Sequence, residues 1–244
     1  MNLRNIIATA VGIVFVHYAI KILREKALEN RDINSWLYFS YHFHNNLRFL
    51  SPQTNWIFSI MPGQIRDEFI ELLKLLEKLH PKTLMEIGTA NGGTLFGLTR
   101  VSNQDATIIS VDLYGGPFGG GYPGWKIPFY KAFASPNQKT HLIRENSHLP
   151  NTRYMIETIL DERTLNFLFI DGDHTYEGVK KDFEMYAPLV SKGGVIAFHD
   201  IVPGPKEYAG EVNKFWLEIR DKYKHLEIVK DWNQGGFGIG VIYM

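Results

Sequence analysis

Cysteine is absent from the 244 residues. That excludes disulfides, thiolate metal sites and a cysteine nucleophile, and it leaves the compartment open. An excess of either charge is also absent: Lys and Arg together number 26, Asp and Glu together 26, for a formal net charge of zero. A neutral chain lacks the broad basic field that nucleic acid selects, so no nucleic-acid partner is expected. No internal repeat and no low-complexity stretch is visible, which argues against a solenoid or a disordered linker. What is abundant is core material, with 45% hydrophobic and 14% aromatic residues. A chain of this length and make-up fits one domain with additions.

The chain reads as three parts. Residues 1–28 are an apolar N-terminal helix, residues 29–62 a connecting region rich in aromatics and Asn, and residues 63–244 the patterned domain. The run Ile6 to Ile20 (IIATAVGIVFVHYAI) is apolar all round, with Arg4 before it and Lys21, Arg24 and Lys26 after it. It falls short of the roughly 20 residues that span a bilayer. No small-x-small cleavage pattern follows closely, which disfavours a signal peptide. Three readings stay open: membrane association through residues 1–26, burial against a partner subunit in a homo-oligomer, and packing on its own domain.

After Pro62 the hydrophobic pattern is regular. Gln64–His80 is amphipathic with helical spacing, and Pro81 follows it. Short apolar runs then alternate with helical patterns. The runs are Thr83–Ile87, Thr107–Val111, His141–Arg144, Asn166–Ile170 and Val195–Phe198. The helical patterns are Thr94–Val101, Arg153–Leu160 and Glu177–Val190. Alternation of this kind implies parallel βαβ units with right-handed crossovers. The tail reads as a helix, Gly210–Tyr223, and two strands, His225–Lys230 and Gly236–Tyr243. The expected fold class is α/β and Rossmann-like. It has a mostly parallel seven-stranded sheet with an antiparallel C-terminal strand, and helices on both faces.

Four motifs sit where these strands end. Met85-Glu86-Ile87-Gly88-Thr89-Ala90-Asn91-Gly92-Gly93-Thr94 joins a strand to a helix. Its glycines allow close backbone approach, and the helix start offers free N–H groups to an anion. A plain tight turn would read the same, and the spacing is not G-x-G-x-x-G. Asp112 ends the next strand, where an acid can accept from both ribose hydroxyls. Phe169-Ile170-Asp171-Gly172-Asp173-His174-Thr175-Tyr176 and Gly193-Gly194-Val195-Ile196-Ala197-Phe198-His199-Asp200 place acids and histidines just past buried strands. Carboxyl ends of parallel strands line one rim, so Asp171, Asp173, His174, His199 and Asp200 should converge. Such a cluster suits a hard divalent cation or a general base. Some of these side chains also suit helix capping, and Asp173 reads as an N-cap. The Gly-rich segment Tyr114–Lys126, with Phe118, Tyr122 and Trp125 inserted, reads as a lid over the cleft.

MEIGTANGGT, VDL, FIDGDHTYEGVKKDFEMYAPLVSKGGVIAFHD and VNKFWLEI, in this order, resemble the class I S-adenosylmethionine-dependent methyltransferases. The resemblance runs from Pro81 to Tyr243. It is nearest the branch with bacterial small-molecule and sugar O-methyltransferases and cephalosporin hydroxylase-like proteins. It implies S-adenosyl-L-methionine as cofactor, held by Glu86, Gly88, Asn91, Gly92, Thr94, Asp112, Ser147 and Asp171. It implies O-methylation of a small-molecule or glycan acceptor, with His174, His199 and Asp171 at the chemistry; the compartment stays open, a cytoplasmic, membrane-associated catalytic domain being one reading. In metal-dependent members an acid matching Asp171 and a pair matching His199–Asp200 bind Mg²⁺ or another divalent cation. Histidine at the first position of that pair departs from the pattern and is a softer ligand. The rival readings are a membrane-tethered, non-catalytic binding protein on the same fold and an NAD(P)-dependent oxidoreductase. The oxidoreductase would need a glycine fingerprint and a Tyr-x-x-x-Lys-like pair, and neither stands at a suitable place.

Overall fold

The computed structural model describes residues 14–26, 32–47, 58–118 and 120–244. The first part of the apolar run therefore lies outside the described residues. Residues 14–26 are helical (α1). Ile33–His42 (α2), Arg66–Leu79 (α3), Gly93–Val101 (α4), Ile127–Lys131 (α5), Pro150–Leu160 (α6), Tyr176–Tyr186 (α7) and Val212–Ile219 (α8) follow. The strands are Thr83–Ile87 (β1), Thr107–Asp112 (β2), Lys139–Arg144 (β3), Leu165–Ile170 (β4), Val190–His199 (β5), Lys224–Ile228 (β6) and Ile239–Tyr243 (β7).

The strands form one sheet in the order β3-β2-β1-β4-β5-β7-β6. β1 to β5 pair in parallel, and β7 runs antiparallel to both of its neighbours. This is the expected class. The central strands are apolar on both faces because helices cover both faces. Leu84, Phe167, Phe169, Val195 and Ala197 point into one core, with residues from α1 to α5. Their alternates Met85, Leu168, Ile170, Ile196 and Phe198 point into the other, with residues from α6 to α8. The period of two in each strand thus feeds two separate hydrophobic layers.

Several boundaries differ from the sequence pattern. Pro188 opens a short 3₁₀ turn, Ala187–Leu189, so α7 stops at Tyr186 instead of running to Val190. β5 begins at Val190, before the Gly193–Gly194 pair. The connecting region contains α2, whose Leu37 is fully buried and whose Asp32 caps the helix by accepting from Ser35 N–H. In α1, Ala19 and Leu23 are fully buried in the same core as α2, α3 and α4. Where it is described, the N-terminal helix thus packs on its own domain. Among the described residues no helix is long and apolar enough to cross a membrane.

Candidate active site

The parallel register builds the site. β4 and β5 pair with Ile170 opposite Phe198, so the next residues along, Asp171 and His199, come side by side. β1 lies on the other flank of β4, with Ile87 opposite Ile170. Gly88 then passes directly over Asp171: a Cβ there would sit 1.9 Å from the Asp171 carbonyl oxygen. Gly88 also has a φ of 97°, so glycine is required on both counts.

These strand ends open into a cavity of about 600 Å³. Gly88, Asn91, Thr94, Asp112, Ser147, Asp171, His174, His199 and Asp200 all line it. Two of the residues expected to hold cofactor stand behind its wall. Glu86 is fully buried and accepts from the Ser110 hydroxyl at 2.8 Å. Gly92 is the N-cap of α4, where an added Cβ would run into the Tyr130 ring. Ser147 is placed by its carbonyl, which accepts from the Tyr186 hydroxyl at 2.5 Å.

Asp112 holds the turn above β1. Its Oδ2 accepts from the Thr89 and Ala90 amides at 2.9 and 2.8 Å, and its Oδ1 from Leu113 and Gly121 at 2.7 and 3.0 Å. Gly121 belongs to the Gly-rich segment, so the same carboxylate ties that segment down. Of the three aromatics expected there, Phe118 stacks on the His174 ring at 4.7 Å between centroids. Tyr122 is buried against Tyr130, and Trp125 packs edge-on to Phe58.

At the other end, two acids and two histidines alternate. His199 Nδ1 lies 3.0 Å from Asp171 Oδ1 and 3.2 Å from Asp200 Oδ2. His174 Nε2 lies 3.3 Å from Asp171 Oδ1, and His174 Nδ1 lies 3.2 Å from Asp200 Oδ2 and 2.8 Å from the Tyr208 carbonyl. Burial pushes the Asp171 carboxyl up, but the charge of His199 and hydrogen bonds from both histidines outweigh it. They hold the group well below the usual carboxylate range. Burial favours neutral His199, yet Asp171 and Asp200 together raise it well above its ordinary value. His174 is raised in the same way, against burial, first by Asp171. His199 Nε2 is buried and has no hydrogen-bond partner.

Asp173 lines the same cavity, but its carboxylate is engaged at the start of α7. Its carboxylate accepts from the Thr175 amide, and Thr175 is the N-cap of α7, accepting from Gly178 N–H. The shorter hydroxyl side chain stands at the helix start, so the expected Asp173 cap is displaced by two residues. Sequence reasoning also missed Gln64. Its Nε2 donates to Asp171 Oδ2 at 2.7 Å while its Oε1 accepts from Thr94. It thereby links the glycine-rich turn to the acid. A polar residue just ahead of an amphipathic helix carries no signal of that long-range partner.

Residues 85–201 match a sequence family described as a methyltransferase domain. An uncharacterized protein of Acanthamoeba polyphaga mimivirus is 30% identical over 128 residues. The match covers 48% of this chain and 51% of that protein, so the chain spans about half of that relative's length. Among solved structures, the O-methyltransferase of Bacillus cereus in complex with SAH is 14% identical. It has a TM-score of 0.54, and the likeness covers 87% of this chain and 100% of that one. The O-methyltransferase TomG of Streptomyces achromogenes, involved in tomaymycin synthesis and solved with SAM, is also 14% identical. Its TM-score is 0.53, with coverage of 86% and 90%. The sequence match covers just under half of the chain, and the structural likeness gives the fold. Over residues 85–201 the chain is thus similar to a methyltransferase domain, and its fold is the Rossmann-like fold of the solved O-methyltransferases.

Proposed function

We propose that the protein transfers the methyl group of S-adenosylmethionine to a hydroxyl oxygen of a small molecule or glycan. The observation that carries this reading is that one cavity serves both halves of the site. It joins a glycine-rich strand-to-helix turn and a strand-end acid to a buried Asp–His cluster. The turn and Asp112 would hold the methionine and ribose parts, with Ser147 beside the adenine. The cofactor supplies a methyl group already activated on a cationic sulfonium. Transfer forms a carbon–oxygen bond and breaks the carbon–sulfur bond, whose electron pair stays on sulfur. The protein must align the acceptor and remove its proton.

His199 suits that second task. Its Nδ1 is fixed by two carboxylates, and its Nε2 has no partner inside the cavity wall. Orientation through one ring nitrogen with the other left free is how a histidine base is prepared. The two acids favour the protonated ring. A positive charge brought into the cavity acts against them and favours the neutral ring.

A divalent cation is the second reading, favoured by a specific geometry. Donor atoms of Asp171, His174 and Asp200 lie within 4.8 Å of one another. His174 has the ordinary support of a metal ligand, one nitrogen on a backbone carbonyl and the other facing the site. Of the two histidines the sequence pattern puts beside such a cation, His199 and His174, this geometry favours His174. The cation would lower the acceptor's pKa and relieve repulsion between the acids.

A screen for methyl transfer into hydroxylated glycans, polyketides and phenols tests the reading. His199→Gln should reduce turnover by roughly 10²–10⁴-fold, the usual worth of a general base, with cofactor affinity retained. If excess chelator abolishes turnover and Mg²⁺ or Mn²⁺ restores it, the cation is part of the site. If chelator has no effect, His199 acts alone. Methyl transfer that His199→Gln leaves unchanged would remove this residue from the chemistry.

A further inference from the structure

Glu68 stands in the first turn of α3, well outside the cavity wall, yet it is only 2% exposed. A buried carboxylate must be satisfied by donors, and all of the donors on this one come from the β6–β7 connection. Oε1 accepts from the Lys230 amide at 2.9 Å and from Gln234 Nε2 at 2.8 Å. Oε2 accepts from the Gly238 amide at 3.0 Å.

The connection held in this way is an improbable piece of backbone. Gly235, Gly236, Phe237 and Gly238 have consecutive positive φ values of 76°, 118°, 62° and 77°. Non-glycine residues such as Phe237 adopt that region only when their surroundings enforce it. The segment meets the reaction centre on its other side. The Phe237 amide donates to Asp200 Oδ1 at 2.8 Å. The Phe237 ring stands edge-on to His199, with 6.0 Å between centroids. Its carbonyl accepts from Val202 N–H at 2.9 Å, which fixes the chain just after Asp200. Asp200 itself has a φ of 60°. The strained acid and the strained loop therefore brace each other, and the loop's outer edge is fastened to Glu68.

We infer that Glu68 is a positioning residue for the reaction centre, acting through Gly238 and Phe237 on Asp200 and His199. The inference rests on the reading of the Asp–His cluster as the place where chemistry occurs. The position of Asp200 is set from two sides. One is the end of β5. The other is a hydrogen-bonded chain running from α3 through the β6–β7 connection.

The test uses the full chain, with Glu68→Ala, Glu68→Gln and Gln234→Ala. Gln234→Ala removes one donor and leaves the carboxylate in place, so it reports even if Glu68→Ala fails to fold. The readouts at one fixed pH are hydrogen exchange of the Phe237 amide and the ring resonances of His199. For Glu68→Ala, exchange of the Phe237 amide should speed up by about tenfold or more through local opening, and the His199 resonances should move. Glu68→Gln keeps one acceptor oxygen but turns an N–H toward Gly238, so it should fall between wild type and Ala. Gln234→Ala should shift both readouts in the same direction by less. Affinity for S-adenosylhomocysteine should stay within about twofold, because Asp112 and the glycine turn lie elsewhere. His199 resonances and Phe237 exchange unchanged in folded Glu68 and Gln234 variants would overturn the inference. Shifts in both readouts, in a protein that methylates nothing, would leave Glu68's role standing and remove the methyltransferase reading. Methyl transfer that Glu68→Gln leaves at wild-type kcat and KM, with no spectral shift, would do the reverse.

Discussion

Glu86 and Asp171 are carboxylates on neighbouring strands, and their surroundings drive them in opposite directions. Asp171 has two histidines against it and stays ionised. Glu86 has burial first of all, offset only in part by the Ser110 hydroxyl and reinforced by the charges of Asp112 and Asp171. Its pKa is raised well above the ordinary value, which favours the neutral form in the folded protein. An acid whose folded pKa is raised stabilises the fold fully below its unfolded value and loses that contribution as pH rises through the folded one. The window therefore opens near the ordinary glutamate pKa and extends upward. Glu86→Gln cannot ionise but still offers Ser110 an acceptor. Thermal denaturation of both proteins between pH 5 and pH 8 should show the Gln variant gaining relative stability as pH rises. A constant difference across that range would show that Glu86 does not titrate there.

At the scale of elements, the strands were the most legible part of the sequence. β1, β4 and β5 are apolar runs because both faces are covered, and their ends are marked by Gly88, Asp171 and His199–Asp200. Parallel pairing then needs only one register to bring the last three together, so their convergence is legible in the sequence itself. The residues that escaped are those whose function lies in a distant partner. Gln64 and Glu68 look like the polar start of an amphipathic helix, and nothing local says that one grips Asp171 and the other the β6–β7 loop. The same holds for α1. Its all-round apolar character left packing and membrane readings open, and only Leu23 at 0% exposure among α2 to α4 shows what the described part does. Leu23→Ala should cost about 2–5 kcal/mol in chemical denaturation, as other buried Leu truncations do. A loss below about 0.5 kcal/mol, the range of surface substitutions, would show that α1 is not anchored in the core.

For the molecule as a whole, two halves of one rim share a cavity. β1 and β2 bring the glycine turn and Asp112, whereas β4 and β5 bring the acids and histidines. The Gly-rich segment spans both, tied to Asp112 through the Gly121 amide and resting Phe118 on His174. This division is what a two-substrate transfer needs, with one partner held at each half and the bond exchanged between them. The rival readings use the same fold with the first half serving a different nucleotide, or with neither half serving catalysis. Calorimetric titration of the full chain with S-adenosylhomocysteine, with NAD as the control, separates them most directly. The account predicts one saturable site for S-adenosylhomocysteine and no heat with NAD. It also predicts that Asp112→Ala weakens that site by about 1.5–3 kcal/mol, the worth of a charge-assisted hydrogen bond. Binding of NAD in its place, or S-adenosylhomocysteine affinity unchanged in Asp112→Ala, would contradict it.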